Sequence, residues 1–402
     1  MAKPLLFMYI FKPTKNSKNS ISSISNLCDA LDVSEKELNQ ALALSDEDKY
    51  VSDSVPKADG SLRIINKPHN LIRKIQRRIN KRLFNNLVIW PSYIFGSIPN
   101  TINEYGEVTE AKDYVSCASK HCLAKSLLKM DLKDFFDNIH FDYVKTIFSD
   151  FFSYPEDVSS VLAQICCKDE HIVQGALTSS YIASLCLWDV EHELVVRLKR
   201  KNLVYTRLVD DITVSSKLSN FQFDMTIEQI KLMLLDKDLP LNNKKTKVSY
   251  TSIEPLMVHG MRVNFKEPRY PADEVRRLRA AVNNVERLAS EPGYRVTFAY
   301  RKDFNRCMGR VNKLKRVKHE KHEVLVRKLK RILPLPSKKD LKRCKISVAR
   351  LEADYSLKGG TFWYRKRFFT VHERLNVLQR VYSKTSAELR TRMKKVKPQH
   401  ED

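Results

Sequence analysis

Three aspartates in this sequence have the type and spacing to do chemistry. Asp210 and Asp211 are adjacent and lie between the alternating runs Val204, Thr206, Leu208 and Ile212, Val214, which puts them at the tip of a β-hairpin. Tight hairpins turn on Asn-Gly, Asp-Gly or Gly-Gly because the favoured turns need φ > 0, yet Leu208-Val209-Asp210-Asp211 contains no glycine. Two neighbouring carboxylates held at a strand junction repel one another unless a cation lies between them and a third ligand. Asp131 offers that ligand, at the end of the alternating run Leu128, Met130, Leu132. A solvated acidic turn has the same local sequence, so the remainder of the chain must decide. Two-metal phosphoryl transfer uses such a set: hard oxygen ligands hold two Mg²⁺ about 3.5–4 Å apart, activating a 3′-oxygen and stabilising the departing pyrophosphate. Lys244 or Lys245, in Leu241-Asn242-Asn243-Lys244-Lys245-Thr246-Lys247, would protonate the leaving group or neutralise triphosphate charge.

The elements that must position these groups come from a chain of 402 residues with 43% hydrophobic content, enough for two or three domains and a substantial core. Its formal charge of +25 is unevenly spread, since from Arg301 onward there are 31 Lys/Arg against 10 Asp/Glu. A basic lobe on a near-neutral body suits a phosphate backbone, with an anionic membrane surface as the weaker alternative. No apolar run approaches the roughly 18 residues of a membrane span. Leu5–Phe11 is short for a secretory core and runs into Lys12-Pro13, so a cytoplasmic protein is expected. The eight cysteines form no CxxC pair and read as buried, reduced thiols. His319, His322, Cys307 and Cys344 match no compact zinc spacing.

Along the chain, residues 1–50 read as a small helical element, with a helix near Ile21–Leu31 and a capping box at Ser34-Glu35-Lys36-Glu37. Asp59-Gly60 predicts a hairpin turn before Leu62-Arg63-Ile64-Ile65. Leu71–Leu87 is helical, with Ile72, Ile75, Ile79 and Leu83 on one side and Arg73, Lys74, Arg77, Arg78, Lys81 and Arg82 on the other. That cationic side is either a solvated face or a phosphate contact, for which Arg73 and Arg77 are the candidates. Residues 92–122 are rich in loops. A strand runs from Ser126, Lys133–Ile139 starts a helix, and residues 141–170 are helical. Val173-Gln174-Gly175-Ala176 breaks the pattern, and Ala183, Leu187, Val190, Leu194 and Leu198 mark one long helix. Beyond the acidic hairpin come a helix over Met225–Leu235 and a strand pair turning at Val258-His259-Gly260. Asp273 is the expected N-cap of a helix that stops at Pro292-Gly293, and the basic remainder is helical with a break at Pro334-Leu335-Pro336. Strands and helices mix without a βαβ repeat, which predicts an α+β fold with a mostly antiparallel sheet.

Five stretches, in order, carry a family resemblance. Leu62-Arg63-Ile64-Ile65-Asn66-Lys67-Pro68, Asp131-Leu132-Lys133-Asp134-Phe135-Phe136, Gln174-Gly175, Leu208-Val209-Asp210-Asp211 and Leu241-Asn242-Asn243-Lys244-Lys245-Thr246 resemble the successive motifs of prokaryotic reverse transcriptases. The nearest groups are the retron enzymes and the related defence-associated (DRT, abortive-infection) enzymes. The resemblance implies a right-hand polymerase: an N-terminal helical element (1–50), fingers (51–125, with part of 140–180), a palm with an antiparallel sheet (126–270), and a basic helical thumb with a C-terminal extension (271–402). It implies an RNA-directed DNA polymerase using two Mg²⁺ ions and dNTPs. The expected template is a dedicated non-coding RNA, the product its cDNA, and the role antiphage defence, with an effector protein as an open further partner.

By the same resemblance Asp131, Asp210 and Asp211 are the metal-binding triad, with Leu132 in the metal set. Arg63 contacts the incoming triphosphate, Gln174 and Gly175 line the nucleotide pocket, and Phe136 is the aromatic gate that excludes a ribose 2′-hydroxyl. Ordinary core packing is the alternative for Phe136. The sequence departs from the retron pattern in four places. Cys117-Ala118-Ser119-Lys120-His121 stands for Asn-Ala-x-x-His, Val258-His259-Gly260 for Val-Thr-Gly, Leu208 for the Tyr of the YxDD box, and Val173 for the Pro before Gln-Gly. With the long C-terminus, these point to a divergent, defence-associated relative.

The C-terminal stretch Gly359-Gly360-Thr361-Phe362-Trp363-Tyr364-Arg365-Lys366-Arg367-Phe368-Phe369 interleaves aromatics and cations. Such a surface stacks bases and grips phosphates, with Trp363, Arg365 and Arg367 as the candidate contacts, or else its rings form the core of a small subdomain. Two other function classes stay open at this level: a non-catalytic RNA-binding protein with a polymerase fold, and a template-independent DNA polymerase.

Overall fold

In the computed structural model, which describes residues 12–56 and 60–399, the chain divides into two units, Met1–Arg269 and Tyr270–Asp402. In the first unit local capping starts the N-terminal helices. Ser23 accepts from the Asn26 amide at the head of α1 (Ile24–Leu31), and Ser34 with Glu37 closes the capping box of α2 (Glu35–Leu42). Strands β1 (Tyr50–Pro56) and β2 (Leu62–Pro68) then pair antiparallel from Tyr50↔Pro68 to Pro56↔Leu62. Gly60 takes φ +85, whereas Lys57 to Asp59, half of the expected turn, lie outside the described residues.

The next helix, α3 (Asn70–Ile79), continues through a π-helical turn at Asn80–Phe84 to Asn85–Leu87. Ile72, Ile75, Ile79 and Leu83 are buried as their spacing predicts, each contributing on the order of 1.5–3 kcal/mol. The opposite face is not one uniform cationic surface. Lys74 pairs with Glu37 at 2.7 Å, Arg78 and Arg82 both pair with Asp32, and Arg82 also donates to the Ala30 carbonyl. One row of that face therefore ties α3 to α1 and α2. Arg73 stays exposed and Arg77 is half-buried.

A five-stranded sheet carries the acids. It comprises β3 (Ile94–Phe95), β4 (Ser126–Asp131), β5 (Val204–Leu208), β6 (Asp211–Ser216) and β7 (Lys247–Tyr250), in the order β7-β4-β6-β5-β3. Every pairing is antiparallel except β5 with β3. Helices α4 (Tyr114–Lys120), α5 (Glu156–Cys166), α6 (Ser179–Leu185), α7 (Glu191–Arg200) and α8 (Asp224–Leu235) accompany it, and most of them share one hydrophobic core with the sheet and α1–α3. Strands β8 (Met257–Val258) and β9 (Met261–Arg262) turn through His259 and Gly260, both at positive φ.

Four sequence expectations fail here. Residues 141–170 are not one helical stretch: a helix at Phe141–Thr146 continues through a π-helical turn at Ile147–Phe151 and stops before Ser153 at φ 58, α5 follows, and Cys167–Lys168 pairs as a strand with His171–Ile172. Residues 133–138 form a run of turns rather than a helix start, with Asp134 at φ 45. The long helix expected through Leu198 is two helices, broken at Cys186–Val190, because the Ala183 and Ser184 carbonyls accept from the buried Arg207 guanidinium. The apolar spacing runs on across the break because Leu187 is buried within it and Leu194 and Leu198 are buried in the helix that follows. Asp273 lies in the first turn of its helix, after Pro271 as N-cap.

The second unit holds two helical clusters. In the first, α9 (Ala272–Ser290), α10 (Phe298–Arg316) and α11 (Lys321–Arg331) bury Val282, Tyr300, Val311 and Leu329. In the second, α12 (Lys338–Lys358), α13 (Phe362–Leu378) and α14 (Ser383–Lys394) bury Val348, Tyr364, Leu375 and Leu389. Pro334-Leu335-Pro336 separates them, since proline cannot continue a helix. Arg301 to Asp340 at 3.0 Å and the Arg380 bond to the Pro334 carbonyl tie them together. Among the described residues no helix is long and apolar enough to cross a membrane.

Candidate active site

Strand register brings the acids together. Asp211 opens β6 and pairs directly with Asp131 at the end of β4, while Leu208 pairs with Asp211 across a turn made only of Val209 and Asp210. Val209 takes φ 59, a left-handed conformation that costs a β-branched residue. The strain that glycine would relieve is thus held at the acidic tip. Gly96, just past β3, makes room for it: a methyl group there would stand 2.8 Å from Val209 Cγ2. Leu132 is buried, and its amide donates to the Asp210 carbonyl at 3.2 Å, which locks the end of β4 to the turn.

Like charges directly opposite in a sheet repel. Burial raises the Asp211 pKa to about 6, helped by the charges of Asp210 and Asp131. Asp210 is raised too, first by burial and then by Asp131, against the lowering pull of Lys245 and Arg63. Lys245 Nζ reaches Asp131 Oδ2 at 2.8 Å, and that hydrogen bond raises the lysine's own pKa. Asn242 donates to the Asp131 carbonyl at 2.8 Å and Lys133 to the Pro240 carbonyl, so the 241–246 segment is tied to the end of β4. Of the two candidate lysines the structure brings Lys245 to the acids; Lys244 is exposed beside it.

Among the described residues no three His, Cys, Asp or Glu side chains form a ready-made metal cage. The donor set still fits hard divalent ions. It offers carboxylate oxygens at a sheet end, two with pKa values raised first by burial and then by neighbouring negative charge, and an ammonium already acting as counter-ion on the third.

Gln174 and Gly175 dock on β2, the strand that carries Arg63. The Asn66 amide donates to the Gln174 carbonyl at 2.7 Å, and a Cβ on Gly175, at φ +108, would lie 2.3 Å from the Asn66 carbonyl oxygen. Only glycine fits this approach. Behind it, buried Gln76 donates to Tyr50 Oη and the Ile165 carbonyl and accepts from the Leu177 amide. Arg63 itself is exposed. Phe136 is half-buried against the core, its ring centroid 6.1 Å from that of Phe135.

Several residues went unnoticed as site elements. Arg207 and Glu191 form a fully buried ion pair beneath the turn, with Arg207 Nε 2.6 Å from Glu191 Oε1. Its signal was a charge placed inside an alternating apolar strand. A second chain joins the two divergent motifs: His259 stands 3.7 Å from Asp211 and 3.4 Å from Cys117 Sγ. From Cys117 it passes to Thr206 and His121, and ends on Ser215. Burial holds His121 at about 3, His259 at about 4 and the Cys117 thiol at about 12, so the chain is uncharged.

In the second unit α13 divides the aromatic stretch. Tyr364 and Phe368 enter the core, while Phe362, Trp363 and Phe369 are 49, 59 and 52% exposed. The core alternative thus holds for Tyr364 and Phe368, while the other three rings stay at the surface. Lys366 lies 5.1 Å over the Trp363 ring and Arg365 5.9 Å from the Phe369 ring, while Arg367 turns to Asp354.

The profile of the reverse transcriptase (RNA-dependent DNA polymerase) family matches residues 55–278. Retron Ec48 reverse transcriptase of Escherichia coli is 46% identical over 377 residues, which is 93% of this chain and 92% of that protein. Retron Se72 reverse transcriptase of Salmonella heidelberg is 29% identical over 277 residues, 68% of this chain and 69% of that protein. The solved structure of apo telomerase from Candida tropicalis superposes with a TM-score of 0.40 at 11% identity, covering 96% of this chain and 72% of that one, too distant to carry an argument.

Proposed function

The chain belongs to the reverse transcriptases, in the retron group, and is an RNA-directed DNA polymerase; from that premise we propose that Asp131, Asp210 and Asp211 hold two Mg²⁺ ions and copy a dedicated non-coding RNA into cDNA for antiphage defence. The observation that carries the site assignment is the cross-strand pairing of Asp131 with Asp211 beside Asp210 in a two-residue turn. The departures at Cys117, Val173, Leu208 and His259 are then variation within the retron group, not marks of a separate defence-associated lineage.

In this reading the bound ions supply charge neutralisation and a nucleophilic primer oxygen when present. Asp131, Asp210 and Asp211 orient them, with Leu132 completing the metal set. Lys245 leaves Asp131 to meet the triphosphate or the departing pyrophosphate, with Lys244 behind it. Arg63, on the strand that Gln174 and Gly175 lean on, grips the triphosphate; Gln174 and Gly175 shape the pocket, and Phe136 excludes the 2′-hydroxyl. Residues 51–125 act as fingers, 126–270 as palm and 271–402 as thumb and extension, working in the cytoplasm. Trp363 and Arg365 with Lys366 contact the RNA, as do Arg73 and Arg77, and the RNA–cDNA product engages an effector protein. Arg367 contributes by fixing α13 through Asp354.

Primer extension on an RNA template, beside the Asp210→Asn/Asp211→Asn protein, tests the reading. Wild type incorporates dNTPs with Mg²⁺, the variant loses at least about 10³-fold, and omission of template abolishes product. No incorporation by wild type, or equal product without template, rejects it. Sequencing the RNA and DNA that copurify identifies the template.

A further inference from the structure

We propose that Arg207 is a positioning residue that locks the acidic turn to the helix following Gln174-Gly175, with Glu191 as its buried counter-charge. The proposal rests on the polymerase activity stated above. Arg207 sits on β5, one residue before Leu208, and its side chain is 0% exposed beside Glu191 at 1%.

All five guanidinium N–H groups have acceptors. Nε donates to Glu191 Oε1 at 2.6 Å, and one terminal nitrogen donates to Glu191 Oε2 at 2.8 Å and to the Ser184 carbonyl at 2.9 Å. The other donates to the Ala183 carbonyl at 3.0 Å and to the Val209 carbonyl at 3.2 Å. Tyr205, two residues earlier on the same strand face, donates to Glu191 Oε1 at 2.7 Å and completes that carboxylate.

The acceptors belong to three separate pieces of the site. Val209 is the turn residue in the left-handed conformation, directly before Asp210. Ala183 and Ser184 end α6, where carbonyl oxygens lack helical partners and the helix dipole favours a cation. The opposite end of α6 is fixed to the pocket, because Ser179 Oγ donates to the Val173 carbonyl at 2.8 Å and Gln174 in turn meets Asn66 on β2. One planar fork thus sets the distance between the carboxylates and the Gln-Gly element. A lysine keeps the charge but radiates its donors from one nitrogen, and so cannot span Glu191, α6 and Val209 together.

The test uses the full-length protein on poly(rA) primed with oligo(dT), reading single-turnover dTTP incorporation, primer–template affinity and thermal unfolding. Arg207→Lys retains the buried charge pair. Arg207→Met with Glu191→Gln removes both charges while leaving Tyr205 an acceptor, which avoids an unpaired buried ion. Folded forms of both are expected to lose roughly 10- to 100-fold in the chemical step with primer–template affinity within about twofold of wild type. Adding Val209→Gly to Arg207→Lys is expected to restore at least about fivefold, because glycine adopts φ > 0 without help. A purely structural role predicts no such rescue, since glycine removes contacts. Incorporation within about threefold of wild type in either folded variant, or no rescue by Val209→Gly, overturns the proposal. Failure of wild type itself to extend the primer is the separate outcome that rejects the polymerase reading.

Discussion

The acidic turn and the start of α13 hold the side chains proposed to act there by opposite means. At the turn, Asp131, Val209, Asp210 and Asp211 are fixed by strand register and by close contacts, most of them from distant sequence: Gly96, Asn242 and Lys245 reach them from far along the chain, and the neighbouring Arg207 ties Val209 to the distant Ala183 and Ser184. On α13, Trp363 and Phe369 face outward because Tyr364 and Phe368, one helical turn apart, face inward. The difference teaches where precision is needed. Metal-assisted transfer requires oxygens set to fractions of an ångström, whereas stacking on a base tolerates a moving surface.

The contrast can be broken from the pocket side first. Gly175→Ala puts a methyl group 2.3 Å from the Asn66 carbonyl oxygen at φ +108, so the Gln-Gly segment must leave β2. We expect dNTP incorporation to fall about 100-fold with RNA affinity unchanged, measured by primer extension and gel shift. Near-normal incorporation would mean that the docking on β2 is dispensable.

On the other side, Trp363→Ala with Arg365→Ala is expected to weaken binding of the copurifying structured RNA about tenfold at physiological salt, the scale of one lost stacking contact. A folded variant with unchanged affinity removes α13 from the interface.

A smaller effect follows from the raised Asp211 carboxyl, held at about 6 against an ordinary value of 3.8. A carboxyl raised on folding stabilises the protein most fully below its unfolded pKa, and that contribution is lost as pH rises through the folded value. Added Mg²⁺ compensates the charged form. It should therefore raise the thermal midpoint by a few degrees more at about pH 7.5 than at about pH 5. Equal shifts at both pH values would detach the ions from these carboxylates.

The smallest expected change is Leu208→Tyr, which restores the hydroxyl of the YxDD box at a position that, in the proposed reading, lies beside the primer end. Primer affinity should move about two- to threefold while the Mg²⁺ concentration dependence stays put. A change in Mg²⁺ dependence alone counts against that placement of Leu208.

Much of the site was legible in the sequence because its signals are local. Alternation placed β4, β5 and β6, and the lack of glycine between Leu208 and Asp211 set this turn apart from ordinary hairpin turns; that Val209 takes φ 59 there is a finding of the structure. Helix faces were legible for the same reason: Ile72, Ile75 and Ile79 recur at helical spacing. The failures share a cause as well. The pattern over Ala183 to Leu198 read as one helix because a hydrophobic period does not record which carbonyls a distant guanidinium takes. The cationic face of α3 read as uniform because Glu37 and Asp32, its partners, lie more than 30 residues away in sequence.

The sequence by itself determined the order of motifs, the identity of the acids and the basic character of the C-terminal unit, since each is a property of neighbouring residues or of composition. Tertiary structure alone decided which lysine meets Asp131, why residues 96 and 175 must be glycine, and that Arg207 joins turn to pocket. These depend on strand register and close backbone approach between segments far apart in the chain, which no local period encodes.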